Sequence, residues 1–250
     1  MSTDSGPRDG RQTRWDSHKL ERRRQIIEAA IAIAQENPPG AEIHVQEIAE
    51  RAGLSRTVVY RHFGDRADLD RAVQAEILDQ VWALLLPQIT FHGTVPEIIT
   101  RAISSYVQWA VAHPALHRLA DHDSQREAAQ QAGPLEAGLD RIAERITGLL
   151  MLALPDHNRD HDRDPASDAA VTALVDPLVY GVVGMAFSSV RRWISQPVQV
   201  ASAAEVIAMV SESIWFVIQG HGALFGVALD RETRVEDLVD RVEAPGNLPV

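Results

Sequence analysis

Cysteine is absent from the 250 residues. That excludes a disulfide, a thiolate metal site and a cysteine nucleophile, and it suits a reducing, cytoplasmic compartment. Lysine occurs once, at Lys19, so every other basic residue among the 24 is arginine, a bias read as the mark of a GC-rich genome. The N-terminus is polar and carries no apolar stretch of the kind a signal peptide needs. The longest apolar-looking runs, Pro177–Val190 and Ser213–Leu229, are short for a membrane span and contain Ser, Gln, His or several Gly. They are read as core helices, with no membrane partner. No Gly-x-Ser-x-Gly, no His-Glu-x-x-His and no phosphate-loop lysine occurs. The expectation is therefore a non-enzyme that needs no cofactor.

Apolar residues make up 45% of the chain, enough to bury a substantial core in one or two domains. The net charge of −11 argues at first against a polyanionic partner. Its distribution reverses that. Residues 1–66 hold 11 basic and 10 acidic side chains, while residues 67–250 hold 13 and 25. The acidity lies outside the first quarter of the chain, so a local basic face there remains able to meet phosphate.

Residues 44–66 carry the strongest local pattern. Val45, Ile48 and Ala49 share the 3–4 spacing of a helix packed on a core. Gly53 follows as the residue best suited to positive φ at a helix end, and Ser55 stands where the next helix needs an N-cap acceptor. That helix runs about two turns to Phe63-Gly64, and Asp65 opens another. Two helices about a glycine turn, the second with Arg56 and Thr57 in its first turn, form a helix-turn-helix. Arg56 and Thr57 are candidates for reading base edges. Ser55 and Arg61 add donors for phosphate oxygens. Phe63, at the helix end, is read as core. Residue type alone leaves Tyr60 and His62 open between core and phosphate contact.

The run Ile48-Ala49-x-x-Ala52-Gly53-Leu54-Ser55-x-x-x-x-Tyr60-x-His62-Phe63 resembles the signature of the tetracycline-repressor (TetR) type of bacterial transcription regulators. Arg24-x-Ile26-Ile27-x-Ala29-Ala30 resembles that family's first helix, and Asp65-Arg66-x-x-Leu69 the start of its fourth, so roughly residues 19–75 are covered. The resemblance implies phosphate contacts from Tyr60 and His62. It implies further contacts from His44, where the family commonly has Thr or Ser, and from Arg66, where it commonly has Lys. Ala34 stands in place of a usual aromatic. The full set of DNA-binding candidates is His44, Ser55, Arg56, Thr57, Tyr60, Arg61, His62 and Arg66.

Elsewhere the pattern is helical throughout, without convincing period-2 alternation, so the expected fold class is all-α. Residues 1–17 are expected to be a disordered arm, in which Asp4, Asp9 and Asp16 dilute Arg8, Arg11 and Arg14. Residues 18–66 are expected to form the DNA-binding head, its first helix running from His18 to Glu36 before Asn37-Pro38-Pro39-Gly40. Residues 67–230 are expected to form a helical effector-binding and dimerisation domain, and 231–250 an irregular tail. Within the larger domain the expected helices are Asp65–Leu86, Pro96–His113, Ala115–Asp121, Leu135–Leu154, Ala166–Ile194 and Ala201–Leu229.

The last two helices bear on quaternary structure. Val175–Val190 carries one charge, Asp176, and Gly181 and Gly184 permit close helix approach. A helix apolar on most of its circumference must be buried on more than one side. Pairing with a second copy through residues of about 166–194 and 201–229 meets that need, as the resemblance also implies; burial within one chain is the alternative. A two-fold dimer would read a palindromic operator on double-stranded DNA. By resemblance a small-molecule effector enters among the later helices. Trp82, Tyr106, Trp109, Met151, Met185 and Phe187 are the candidate lining, with core packing open for each. Few charges sit on those faces, so the expected effector is apolar or aromatic.

Asp156–Asp164 interleaves His157 and His161 with carboxylates at helical ligand spacing, yet its arginines and lack of apolar support read as a solvated loop. His113 and His117 flank a Pro114 break and read as satisfied histidines, and Gly220-x-Gly222-x-x-x-Gly226 lacks the spacing of a dinucleotide loop. The leading expectation is a cytoplasmic, ligand-released transcriptional repressor. The alternatives are an effector-independent DNA-binding factor and a helical enzyme carrying a DNA-binding head.

Overall fold

The computed structural model describes residues 10–90, 92–121, 134–153, 165–222 and 229–237. Nine α-helices occur among them: α1 (Gly10–Glu36), α2 (Val45–Arg51), α3 (Arg56–His62), α4 (Arg66–Leu85), α5 (Val95–Ala112), α6 (Pro114–Asp121), α7 (Pro134–Ala153), α8 (Pro165–Ile194) and α9 (Ala203–Gly222). A single 3-10 turn, Leu86–Gln88, follows α4 with Pro87 inside it. Among the described residues no strand forms, and the fold is all-α. One isolated antiparallel bridge joins Thr94 to Arg234.

The chain divides into two compact units. The first takes the described residues to Leu78 together with His113 to Pro134, and the second takes Asp79 to Ala112 and the residues from Leu135. The division therefore falls within α4, not at residue 66, and α6 belongs with the head although α5 and α7 do not.

In the first unit α1 buries Ile26, Ala29, Ala30, Ile33 and Ala34, the 3–4 stripe legible in the sequence. Ala34 is 3% exposed and part of this buried stripe. Against α1 lie α2 with Val45, Ile48 and Ala49, α3 with Val59, and Phe63 just beyond it. Leu69, Val73 and Ile77 of α4 complete the core. Each buried Val, Leu, Ile or Phe side chain among these contributes about 1.5–3 kcal/mol relative to exposure. α6 also packs on α1 and buries Ala115, Leu116, His117 and Ala120. The buried Gln74 amide donates to the Ala120 carbonyl at 2.8 Å, which ties α4 to α6. The first helix starts at Gly10 rather than His18. The added stretch, Gly10–Ser17, has no apolar stripe, so hydrophobic periodicity does not reveal it.

The second unit is built on α5 and α9, with α8 against both. Ile99, Ile103, Tyr106, Val107 and Ala110 of α5 are buried, as are Val206, Val210, Ile214 and Trp215 of α9. On α8 the buried residues Val175, Val179, Val183, Ala186, Val190 and Trp193 follow a nearly strict 4–3 spacing, a narrow seam. Pro177, exposed, sits inside α8 without ending it. Ala173–Ile194 and Ala203–Gly222 are long and apolar enough to cross a membrane by length and composition, and only 28% of each apolar window is buried.

The segment 229–237 is not wholly irregular. Val235 N–H donates to the Gly93 carbonyl at 3.0 Å, and Gly93 N–H returns to the Glu236 carboxylate at 3.1 Å. Arg231 pairs with Glu212 of α9 and lies over the Trp215 ring at 5.6 Å.

Gly138 of α7 lies directly against Trp82. A Cβ built there would come within 2.1 Å of the indole nitrogen. Gly138→Ala must displace the Trp82 indole or α7, so a loss of about 1–3 kcal/mol is expected. A melt followed by tryptophan emission measures it; an unchanged midpoint would show that the two do not touch in solution.

Candidate nucleic-acid interface

Four residues, Ala52 to Ser55, join α2 to α3, and the geometry of the turn follows from one glycine. Gly53 has φ +64. Gly53 N–H donates to Glu50 O at 3.0 Å and Leu54 N–H to Ala49 O at 2.8 Å, so α2 ends in a Schellman motif. Ser55, extended at φ −88 and ψ 153, then caps α3 by accepting from Val58 N–H at 3.4 Å. From α1, Gln25 donates to the Ala52 carbonyl at 2.9 Å and fastens the turn to the head.

α3 is held by one face and shows the other. Val59 is fully buried and Phe63 nearly so, while Ser55, Arg56, Thr57 and Arg61 are exposed and Tyr60 and His62 are half-buried. Arg56 lies over the Tyr60 ring at 5.5 Å, a cation–π contact that couples the two side chains. The structure thus brings Ser55, Arg56, Thr57, Tyr60, Arg61 and His62 together on one short helix and its cap.

His44 and Arg66 stand differently. His44, extended at the start of α2, is exposed, and its N–H donates to Glu47 at 3.3 Å, half of a capping box. Arg66 is engaged inside the head. Its Nη1 donates to Ile43 O at 2.6 Å, and its Nε meets both oxygens of Asp70 at 2.8 and 2.9 Å. Those bonds join the start of α4 to the residue before His44.

Sequence reading did not single out Arg23. Its Nη1 donates to the His62 carbonyl at 2.8 Å, its guanidinium lies 4.1 Å from the Phe63 ring centre, and it pairs with Asp68 at 3.7 Å. One side chain of α1 thereby satisfies the C-terminal end of α3 and links it to α4. The signal was present in Lys19, Arg22 and Arg23, spaced i, i+3, i+4 on one helical face.

His62 feels that face. Burial, chiefly, and then the charges of Lys19, Arg61, Arg22 and Arg23 push its imidazole pKa down. Nδ1 is buried without a hydrogen-bond partner. A buried nitrogen without an acceptor beside it is better left unprotonated.

In the second unit Phe187 stands between Tyr106 and Trp82, with ring centres 4.4 and 5.2 Å away. Trp82 and Tyr106 are buried, whereas Trp109 and Met185 are half-buried. Trp82 Nε1 is buried without an acceptor. The Met151 side chain and the segment 156–164 lie outside the described residues. Among the described residues no cluster of three metal-ligating side chains occurs. His117 is buried in α6, and Gly220 and Gly222 end α9 as helix.

Residues 26–73 match the family described as bacterial regulatory proteins, tetR family. The chain is 28% identical over 194 residues to the uncharacterized HTH-type transcriptional regulator Rv0472c of Mycobacterium tuberculosis, covering 76% of this chain and 74% of that one. A tetR-family transcriptional regulator from Streptomyces coelicolor has the same fold, with TM-score 0.58, 20% identity and coverage of 90% and 89%. A second, from Rhodococcus sp., superposes with TM-score 0.51 at 22% identity, over 79% of this chain and 99% of that one.

Because the His62 pKa is lowered by folding, the unfolded chain takes up this proton first as pH falls through about 6.5. The stabilising effect of the neutral ring is complete above that value and is lost below it. Melts of the protein from pH 7.5 to 5.5 should fall in midpoint. His62→Gln should flatten the part due to this residue, and an equal slope in the variant would place the pH dependence elsewhere.

Proposed function

We propose that the chain is a regulator of the tetR type, on the match of residues 26–73 to that family, and that it acts as a cytoplasmic, homodimeric repressor that a small molecule releases from a palindromic operator. The observation that carries the DNA-binding part is the division of α3 into a buried side at Val59 and Phe63 and an exposed row at Arg56, Thr57 and Arg61. Such a helix can enter a major groove, with its first turn at base edges and Tyr60 and His62 at phosphates. Arg66, bound to Ile43 and Asp70, acts by positioning the N-terminus of α2, where His44 is the nearest exposed donor.

Dimerisation through α8 and α9 follows from their apolar surface. Leu174, Met209 and Phe216 are 60%, 55% and 61% exposed on helices with few charges. A monomer gains nothing from that exposure, whereas a second copy of the same helices would cover it and set two α3 helices one DNA turn or a multiple of it apart.

Effector response rests on connectivity and on one unsatisfied donor. α4 passes from the first unit into the second, and α6 is bounded in sequence by helices of the second. An effector that favours one α4 position therefore shifts the population of DNA-competent heads, for which a few kcal/mol suffices. Within the Trp82–Tyr106–Phe187 cluster, the unpartnered Trp82 Nε1 costs about 1–3 kcal/mol. An apolar or aromatic ligand with one acceptor atom would remove that cost. The close packing of Trp82 on Gly138 favours the second reading, a factor that needs no effector.

Selection from a random duplex pool near physiological salt tests the reading. Enrichment of a palindrome is expected, with Thr57→Ala or Tyr60→Ala lowering affinity about tenfold or more. No enrichment by a folded dimer would overturn it. Phe216→Asp should give monomers by sedimentation and lower operator affinity by at least about tenfold; an intact dimer would remove α9 from the interface. Planar aromatic compounds should shift both the melt and DNA release, and a panel that shifts neither favours the effector-independent factor.

A further inference from the structure

Residues 230–236 read Asp-Arg-Glu-Thr-Arg-Val-Glu, a charged run with no apolar period to make it an element of its own. It is nevertheless anchored at both ends. We propose that residues 231–236 form a strap that locks the connection between α4 and α5 onto α9. Its anchors all lie within the second unit.

The first anchor is on α9. The Arg231 guanidinium donates to both carboxylate oxygens of Glu212, and it lies 5.6 and 6.0 Å from the ring centres of Trp215 and Phe216. A turn sits beside it, in which Asp230 accepts from Glu232 N–H at 2.8 Å and from Thr233 N–H at 3.3 Å. The second anchor is on the connection. Val235 N–H donates to the Gly93 carbonyl at 3.0 Å, and Gly93 N–H returns to both oxygens of Glu236 at 3.1 Å. Arg234 donates to that carboxylate at 2.9 Å, and His92 Nδ1 lies 3.5 Å from it. The Glu236 carboxyl is lowered to about 2, first by its own N–H and, against burial, by Arg234 and the Gly93 N–H.

The connection is fastened on either side of the strap as well. Arg101 of α5 donates to the Gln88 and His92 carbonyls at 3.3 Å and to the Thr90 hydroxyl at 3.1 Å. Thr94 and Glu97 cap the start of α5 reciprocally, with Thr94 N–H bonded to Glu97 at 2.8 Å. Gly93 stands between these fastenings at φ +99, and a Cβ there would lie 2.7 Å from Glu97 Oε2. Its own N–H and carbonyl go to the strap. An exposed ion pair holds little by itself. Two anchors about one turn hold more, because each shortens the loop that the other must close. The 3-10 turn that ends α4 runs directly into this connection. In the effector response proposed above, on which this consequence rests, the strapped end is the fixed point about which α4 shifts.

Native-state amide hydrogen exchange on the full chain at neutral pH tests the strap, and needs neither operator nor effector. Arg231→Ala removes the α9 anchor, so Gly93 N–H, at the other end, should exchange about fivefold or more faster. Glu236→Ala removes the acceptor itself and should speed Gly93 and Val235 N–H about tenfold or more. Glu236→Gln keeps an oxygen that accepts from Gly93 N–H and should recover most of the protection. In all three, the amide of Val107, on the buried face of α5, should keep its wild-type rate. Unchanged exchange at Gly93 in Arg231→Ala overturns the strap, because the two ends then hold independently. Faster exchange at Val107 as well also overturns it, by showing that the change loosens the helices themselves. Failure to find an operator or an effector would sink the proposed repressor and leave this measurement decisive.

Discussion

α3 is seven residues long, too short to persist as a helix in water by itself, so its place and its very existence depend on what it is packed against. That support is narrow. Val59 and Phe63 are its buried anchors, Gly53 turns the chain into it, Ser55 caps its start and Arg23 its end. Arg56, Thr57 and Arg61 are thereby left at the surface, with Tyr60 and His62 half-buried beside them. The head can be read as a device for holding a two-turn helix rigidly while burying little of it.

The same economy explains the placement of charge. The head has almost no net charge, but its carboxylates are used to cap helices or to neutralise particular arginines, as Glu47, Asp65 and Asp68 show. What stays exposed beside α3 is basic. The His62 ring, half-buried among those cations, is kept neutral chiefly by its burial. The acidity of the chain is left to the later residues.

The second unit presents the reverse problem, more apolar surface than one chain covers. α8 and α9 pack on α5 along narrow seams and leave Leu174, Met209 and Phe216 exposed. The aromatic cluster at Phe187 is tightly made, with Gly138 admitting the Trp82 ring edge, yet one indole N–H inside it lacks an acceptor. Covering the first feature calls for a partner helix pair, and satisfying the second for a small acceptor.

The linear pattern by itself determined the helical class, the helix-turn-helix and the side of α3 that faces outward. Each of these depends on local spacing, from Ile48-Ala49 through Gly53 to Val59 and Phe63, and local spacing is what periodicity and capping record. The polar start of α1 escaped because a helix without an apolar stripe leaves no period to detect. Only the tertiary structure decided that Arg66 is bound to Ile43, that Arg23 closes α3, and that α6 belongs with the head. Those facts join residues 23 to 46 positions apart through a single side chain or one helix face. No rule of neighbouring residues encodes such a pairing, since it exists only once packing has brought the helices together.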